Sequence, residues 1–513
     1  MFEPRRDVGF RPRFPGRRIV VASNRLPLVM ESTEEGWEVE AGSGGLVTAL
    51  APVLRSTGGV WVGWPGLTGP LDEAFREKLE RVTRDAGYEL EPVPLSERER
   101  DDYYYGFSNE VLWPLLHDLQ TLLRFDPDYW EAYRRVNRRF AAAMARVARV
   151  DDYLWVQDYH LMLAAAALRE LDVANRIGYF LHTPFPSPDI LVKLPWRTEI
   201  LRGLLQYDLV GFQTVRDRDN FLECVGLFLR DARVEGEGPV VVCTCGGREV
   251  RVGAFPISID FDDFDRLARS DRVSAYMEEL EGIAPRGQMM LGVDRLDYTK
   301  GILNRLDAYE ATLERHPELR GRITFVQLVV PSREHIPEYH ELKQQIERRV
   351  GEINGRFTRE SWVPVHYLYR SLDRPELVAH YRKASIALVT PLKDGMNLVA
   401  KEFCASSVDG HGVLILSEFA GAAPQLQEGA LLVNPYDTVE VAEAIARAAS
   451  MTPEERRGRM ERMRAVVREW DVYRWVESFA LAASSREVPD LPAVPAYVPG
   501  GRASLRGAFD EAR

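Results

Sequence analysis

Four cysteines in 513 residues are few. Cys224, Cys243, Cys245 and Cys404 cannot staple a fold of this length, and the Cys243-Thr-Cys245 pair is too closely spaced for Cys-x-x-Cys metal or redox chemistry. The expectation is reduced thiols in a cytoplasmic protein, with no metal site and no disulfide. Long apolar runs are missing as well: no window approaches the roughly 20 residues needed to span a membrane. The opening MFEPRRDVGFRPRFPGRR carries arginines but no apolar core, so residues 1–17 read as a flexible arm and not as a secretory signal. Positive charge is in deficit, with 66 Lys and Arg against 78 Asp and Glu and a net charge of −12. A general nucleic-acid binder needs a basic stripe that displaces counterions, so that class is excluded. A local basic cleft in an acidic chain is still compatible with small phosphorylated substrates. Three signatures are absent too: Asp-x-Asp-x-Thr, Gly-x-x-x-x-Gly-Lys-Ser/Thr and Gly-x-Ser-x-Gly. Their absence counts against phosphatase, P-loop and α/β-hydrolase chemistry.

What is present is an α/β rhythm. Hydrophobic content of 45% and charged content of 28% are those of a globular chain. At roughly 100–200 residues per domain, the length predicts two to four domains. Apolar β-type runs at residues 19–23, 153–157, 176–181 and 209–212 alternate with helical stretches at 161–171 and 200–207. A hairpin is expected around Gly246-Gly247, and residues 254–260 read as a crossover between halves. The rhythm resumes with strands at 289–293, 323–330, 365–368, 386–390 and 413–416, then helices at 439–449 and about 468–483. Alternation of this kind predicts parallel sheets covered by helices, with ligands bound outside the carboxyl ends of the strands. The expected organisation is an arm at 1–17, domains at 18–256 and 257–467, a helix at 468–484 returning to the first domain, and a loose tail at 485–513.

Polar residues do cluster just after these strands. The loop AGSGG at 41–45 precedes a helix and offers backbone N–H groups to a phosphate, or is an ordinary glycine turn. In GVDRLDYTKG at 292–301, Arg295 and Lys300 suit a diphosphate, although Asp294 and Asp297 could pair them off. Arg25 and Arg333 also follow strands, and with Lys300 they would make a positive cleft for anionic substrates. Asp158 follows the strand at 153–157. It would bind a substrate hydroxyl or take its proton, or else cap the helix from Leu161. His182 ends the next strand, braced by Pro184 and Pro186. Asp260-Phe-Asp262 matches a metal-binding Asp-x-Asp, but acids at a helix start are favourable without any metal. In PLKDGMNLVAKEF, residues 391–403, an acid, a glycine and an amide stand between a strand and a helix.

Taken together, these segments resemble the trehalose-6-phosphate synthases, a family of retaining nucleotide-sugar glycosyltransferases. The resemblance rests on residues 23–27 (SNRLP), Gly44-Gly45-Leu46, residues 104–114 ending in FSNEVLWP, Asp158-Tyr159-His160-Leu161, HTPFP at 182–186, DLVGFQT at 208–214, RLDYTKG at 295–301 and residues 391–403. It extends from about Arg18 to about Ala483. It implies an α/β fold of two Rossmann-like domains facing a central cleft (GT-B type). The reaction it implies moves glucose from a nucleotide-glucose to glucose 6-phosphate, giving α,α-trehalose 6-phosphate with retention. UDP-glucose is the expected donor, with ADP- and GDP-glucose as alternatives.

Position by position, the resemblance places Arg25, Tyr104, Trp113, Asp158 and Arg333 at the acceptor. Gly44, Gly45, Arg295 and Lys300 fall at the donor diphosphate, and His182 and Asp394 at the transferred glucose. Leu372 falls near the base. Gly395, Met396, Asn397, Leu398, Val399, Ala400, Lys401 and Glu402 form the donor loop, with Glu402 on the ribose. Asp158, His182, Arg295, Lys300 and Asp394 are the catalytic set. No metal or other cofactor is implied: the leaving phosphate would take the acceptor's proton, and the protein would supply positioning and charge. Further implied are a separate phosphatase for the product and a homo-oligomeric state. One departure stands out, Gln157 where many relatives have histidine. The competing readings are a glucosylglycerol-phosphate synthase using a smaller acceptor and a non-catalytic sugar-phosphate sensor.

Overall fold

The computed structural model describes residues 14, 18–33, 36–41, 45–283, 287–332, 337–485 and 491–497. The chain divides into two compact units, Met1–Ile257 with Val472–Val494 and Ser258–Asp471 with Pro495–Arg513.

The strands of the first unit are, in chain order, β1 (Arg18–Arg25), β2 (Leu28–Thr33), β3 (Gly36–Ala41), β4 (Val60–Trp64), β5 (Glu89–Pro92), β6 (Asp152–Gln157), β7 (Ile177–Phe180), β8 (Leu209–Phe212), β9 (Ala232–Glu235), β10 (Val240–Cys245) and β11 (Arg248–Ala254). β2 and β3 form a separate hairpin, and the other nine make one sheet in the order β5-β4-β1-β6-β7-β8-β11-β10-β9. Its strands run parallel from β5 to β11, and β10 and β9 continue it antiparallel. β1, β6, β7 and β8 are almost wholly buried because helices cover both faces. β10 and β11 turn at Gly246-Gly247, both at positive φ, the hairpin the glycine pair predicts.

The second unit holds β12 (Gln288–Arg295), β13 (Ile323–Val330), β14 (Val365–Tyr369), β15 (Ile386–Val389), β16 (Val413–Ser417) and β17 (Leu431–Val433). They form an all-parallel sheet in the order β14-β13-β12-β15-β16-β17. In both sheets the chain winds first to one side of the opening strand and then to the other. The reversals fall between β1 and β6 and between β12 and β15, and such switch points are where open α/β sheets bind ligands.

Several details differ from expectation. The helix expected at 161–171 begins only at Ala164, after a single tight turn at Tyr159–Leu161. Side chains of the long helix Pro127–Val147 account for the delay, because the Met162 N–H donates to Tyr133 Oη (3.1 Å) and the Leu163 N–H to Asn137 Oδ1 (3.1 Å). Arg100–Leu112 winds as a 13-residue π-helix, a rare form that patterning does not signal. The stretch at 468–483 is split: helix Pro453–Glu469 stays with the second unit, and helix Val472–Ser484 belongs to the first. Asp260 caps helix Phe261–Ala268 by accepting from the Asp263 N–H (3.1 Å), so its carboxylate serves the helix start. Among the described residues no helix is long and apolar enough to cross a membrane, and no three His, Cys, Asp or Glu side chains cluster as metal ligands.

The returning helix is held by aromatic packing. Phe479 stacks on Trp155 (centroids 4.5 Å apart, planes 19°), and Trp475 lies 5.2 Å from the same ring. Arg176 and Arg251 donate to the carbonyls of Ala483 (2.8 Å) and Ala482 (2.6 Å), satisfying acceptors that a helix end leaves open. Phe479 is fully buried. Phe479→Ala should therefore destabilise the first unit by about 3–5 kcal/mol. The check is urea denaturation followed by tryptophan emission, in which the second unit's transition should stay in place.

Candidate active site

At the carboxyl end of β1, Arg25 lies over Trp64, its guanidinium carbon 4.2 Å from the ring centroid and 5.8 Å from that of Tyr104. Such stacking orients the planar donor fork without consuming its N–H groups. Gly66, at φ +95°, makes room: a Cβ there would come 1.8 Å from Arg25 Nη1. Arg25 forms no ion pair among the described residues, so its charge is open to an anion. The π-helix delivers Tyr104 beside it, stacked on His160 (6.0 Å, 14°) and edge-on to Trp64 (5.4 Å). Trp113 is buried deeper, against His117 (4.2 Å) and Tyr159 (5.7 Å), and supports this layer from within.

Asp158 follows β6 with φ 70° and ψ 170°. That backbone region is essentially reserved for glycine and costs about 1–3 kcal/mol for any other residue. Its carboxylate does not cap the following turn. Instead Oδ1 accepts the His182 N–H (3.2 Å), while the Asp158 N–H donates to the Phe180 carbonyl (2.8 Å). The helix-cap alternative for Asp158 is thereby set aside. Strain held in place by neighbouring hydrogen bonds is a feature of functional positions. The His182 ring is buried near Phe180 and Trp475, with Nε2 2.9 Å from Gln157 Oε1. Burial pushes its pKa down from 6.5 to about 3, so the imidazole is neutral at physiological pH.

In the second unit, Lys300 lies on the turn after β12 and its ammonium donates to Asp394 Oδ2 at 2.5 Å. Asp394 Oδ1 accepts the Met396 N–H (3.1 Å), and Asn397 Nδ2 lies 3.4 Å from Oδ2. The Leu392 N–H donates to the Thr299 carbonyl (2.8 Å) and ties the loops after β12 and β15 together. Beneath them Arg305, fully buried, donates to Asp294 (2.5 Å), Gln327 (3.1 Å), Thr390 Oγ1 (3.2 Å) and the Lys300 carbonyl (3.2 Å). Gly421 presses on the donor loop: its N–H donates to the Asp394 carbonyl (2.8 Å), and a Cβ there would stand 1.8 Å from the Gly395 oxygen. Arg295 is exposed, and its side chain makes no hydrogen bond or ion pair among the described residues. The helix Leu398–Ser406 starts at Asn397 without a side-chain cap, leaving its first N–H groups for an anion.

The remaining expected positions divide. Lys401 is buried, with Nζ donating to Gln425 Oε1 (2.6 Å) and its pKa lowered to about 7 by burial. Its ammonium is turned into the protein, so a donor-loop role falls to its backbone alone. Glu402 accepts from Tyr381 Oη (2.8 Å), and burial raises its pKa. Leu372, Leu398 and Val399 pack on the second unit's core, partly exposed, and Ala400 is buried in it. Gly45 opens the helix Gly45–Thr57. Gly44 and Arg333 lie outside the described residues. Sequence reasoning missed Trp64 and His160, which frame Arg25 and Tyr104, and Arg305, which carries no motif beyond its place one helical turn after Lys300.

Two units with open, largely parallel sheets, polar at the strand ends of each switch point, make an α/β architecture of the GT-B type. Residues 17–484 match the profile of Glycosyltransferase family 20, and the chain belongs to that family. It is 46% identical over 485 residues to a bifunctional trehalose-6-phosphate synthase/phosphatase of Thermoproteus tenax, covering 92% of this chain and 64% of that protein. The chain thus spans less than two thirds of that relative's length. A trehalose-6-phosphate synthase of Mycolicibacterium paratuberculosis is 44% identical over 484 residues, covering 91% of this chain and 95% of the relative. Among solved structures, a UDP-forming α,α-trehalose-phosphate synthase of Burkholderia xenovorans in complex with glucose 6-phosphate aligns with a TM-score of 0.83 at 35% identity. That alignment covers 92% of this chain and all of the other.

The His182 environment predicts a pH dependence. Its folded pKa, about 3, lies below its unfolded value of 6.5, so its contribution to stability is complete above pH 6.5 and is lost as pH falls toward about 3. Between about pH 7 and about pH 4.5 the wild type should lose roughly 2–3 kcal/mol more than His182→Gln, which cannot protonate. Urea midpoints of the first unit at the two pH values measure the difference.

Proposed function

We propose that the chain transfers glucose from UDP-glucose to glucose 6-phosphate, giving α,α-trehalose 6-phosphate with retention at the anomeric carbon. The observation that carries this reading is the second unit's switch point. There Lys300 is locked on Asp394, open Arg295 stands at the end of β12, and an uncapped helix N-terminus follows. Two cations and free backbone N–H groups suit a diphosphate, and a carboxylate beside them suits sugar hydroxyls.

In this reading Arg295 and Lys300 neutralise the charge that grows on the leaving diphosphate. Asp394 accepts from hydroxyls of the transferred glucose, and Gly395 lets the backbone approach it. Glu402 accepts from the ribose, and Leu372 lies near the base. In the first unit Arg25, with Tyr104 beside it, holds the acceptor phosphate. Asp158 accepts from an acceptor hydroxyl, and Trp113 supports that wall from behind. The hydroxyl attacks from the face the diphosphate leaves, and the departing phosphate oxygen takes the proton, so no side chain forms a covalent intermediate. Neutral His182 contributes a fixed dipole at the glucose. The relatives' names support this choice of donor and acceptor. The reading places the protein in the cytoplasm, with a phosphatase reaction consuming its product.

The test is a product assay by NMR, with EDTA present. UDP-, ADP- or GDP-glucose is offered, each with glucose 6-phosphate or glycerol 3-phosphate. An α,α-1,1-linked disaccharide phosphate, formed fastest from UDP-glucose, is expected; turnover with glycerol 3-phosphate alone would sink the reading. Lys300→Ala should lower kcat about 10²–10³-fold. Arg25→Ala, losing a charge-assisted contact of about 1.5–3 kcal/mol, should raise the KM for glucose 6-phosphate about 10–100-fold with a smaller effect on kcat.

A further inference from the structure

Gln157 is the last residue of β6 and is fully buried, and it sits in register with Phe180 two residues before His182. Its Oε1 lies 2.9 Å from His182 Nε2. As the amide is placed, its carbonyl oxygen can only accept, which puts the proton on Nε2; an amide turned over would donate and put it on Nδ1. The amide nitrogen of Gln157 has no partner among the described residues, so Oε1 is the only side-chain atom of Gln157 engaged there. The ring is clamped otherwise by Phe180 (4.7 Å) and Trp475 (6.2 Å), and the His182 N–H is fixed on Asp158 (3.2 Å).

We propose that Gln157 is a positioning residue that holds the His182 imidazole in its neutral, Nε2-protonated tautomer and fixes its ring plane. Nδ1 is then a permanent acceptor, and His182 presents a dipole of one sense to the glucose. Histidine at this position could itself gain or lose a proton, and a carboxylate would draw a second proton onto the ring; glutamine has no titrating proton of its own. Asp158 meets the backbone N–H of His182, and the rings of Phe180 and Trp475 lie against the imidazole. This inference rests on His182 acting on the substrate, and the two can be told apart experimentally.

The first measurement needs no variant at Gln157. With ¹⁵N-histidine labelling, nine imidazoles give two-bond ¹H–¹⁵N correlations, and His182→Ala identifies the one that disappears. An Nε2-protonated pattern, unchanged between about pH 5 and about pH 8 as a buried neutral ring requires, is expected. An Nδ1-protonated pattern would overturn the proposal. Gln157→Leu removes the acceptor at similar volume and should lower kcat about 10-fold, by analogy with partners that orient ligating histidines, with the acceptor KM unchanged. Gln157→Glu should return a doubly protonated ring and a new limb in the kcat–pH profile. If both variants fold and keep wild-type kcat and pH profile while His182→Ala loses activity, His182 acts without Gln157 and the proposal fails. If His182→Ala itself turns over normally, it is the role assigned to His182 that fails, whatever the tautomer.

Discussion

One buried guanidinium organises the second unit's candidate site. Arg305 reaches from the helix after the Lys300 turn to Asp294 on β12, Gln327 on β13, Thr390 beyond β15 and the Lys300 carbonyl. Its side chain is wholly shielded and that of Asp294 nearly so. A buried pair of this kind adds little net stability, yet removing one partner strands a charge at a cost of about 3–5 kcal/mol. What the pair supplies is geometry. The three central strands are tied to one another through Arg305, close to where Lys300 and Asp394 meet at 2.5 Å. Recognition of a diphosphate and a sugar in one pose, as proposed for this site, would need such preorganisation more than additional contacts.

The first unit solves the same problem by strain. Asp158 occupies a backbone region fit for glycine, and three hydrogen bonds hold it there: its N–H to Phe180, its carbonyl accepting from Leu161, and its carboxylate accepting from His182. Glycine would relieve the strain and lose the carboxylate. The conformation persists because the neighbouring strand, β7, over-determines it. The Tyr133 and Asn137 bonds that delay the following helix belong to the same construction, since they free the turn at Tyr159–Leu161 from helical geometry.

Strand positions were legible because a doubly covered parallel sheet demands short apolar runs, and β1, β6, β7, β8, β12, β13, β15 and β16 are written that way. The strand-end polar residues were legible for the same reason, since a charged residue directly after such a run has few places to go but the sheet's rim. Three things were not. The π-helix at Arg100–Leu112 has no periodic signature, because its turns are stabilised by tertiary packing of Tyr103, Phe107 and Val111. The outcome for Asp158, cap or strained acceptor, depended on Tyr133 and Asn137, more than twenty positions upstream. Lys401 stands in the middle of a loop segment that pattern alone assigns to the ligand, yet the phase of helix Leu398–Ser406 turns its ammonium inward onto Gln425.

The distribution of charge follows from what each cation must do. Most arginines in this acidic chain are engaged with carboxylates or carbonyls. Arg25 and Arg295 meet no carboxylate among the described residues. Each is a delocalised, weakly hydrated ion that tolerates waiting without a counter-charge, and Arg25 has an aromatic face to wait on. Lys300 is a compact ammonium on a flexible stem, and unpaired it would sample many positions. Pairing it with Asp394 fixes it but cancels its net charge, so on the proposed reading an arriving diphosphate would meet the full charge of Arg295 first. The Lys300–Asp394 pair is a dipole, and it favours an anion only on its ammonium side. A nucleotide-sugar presents both requirements at once, phosphate oxygens to the ammonium and sugar hydroxyls to the carboxylate. On the proposed reading, inorganic diphosphate would satisfy only the first and leave the carboxylate facing an anion, so the pair would favour the intact donor.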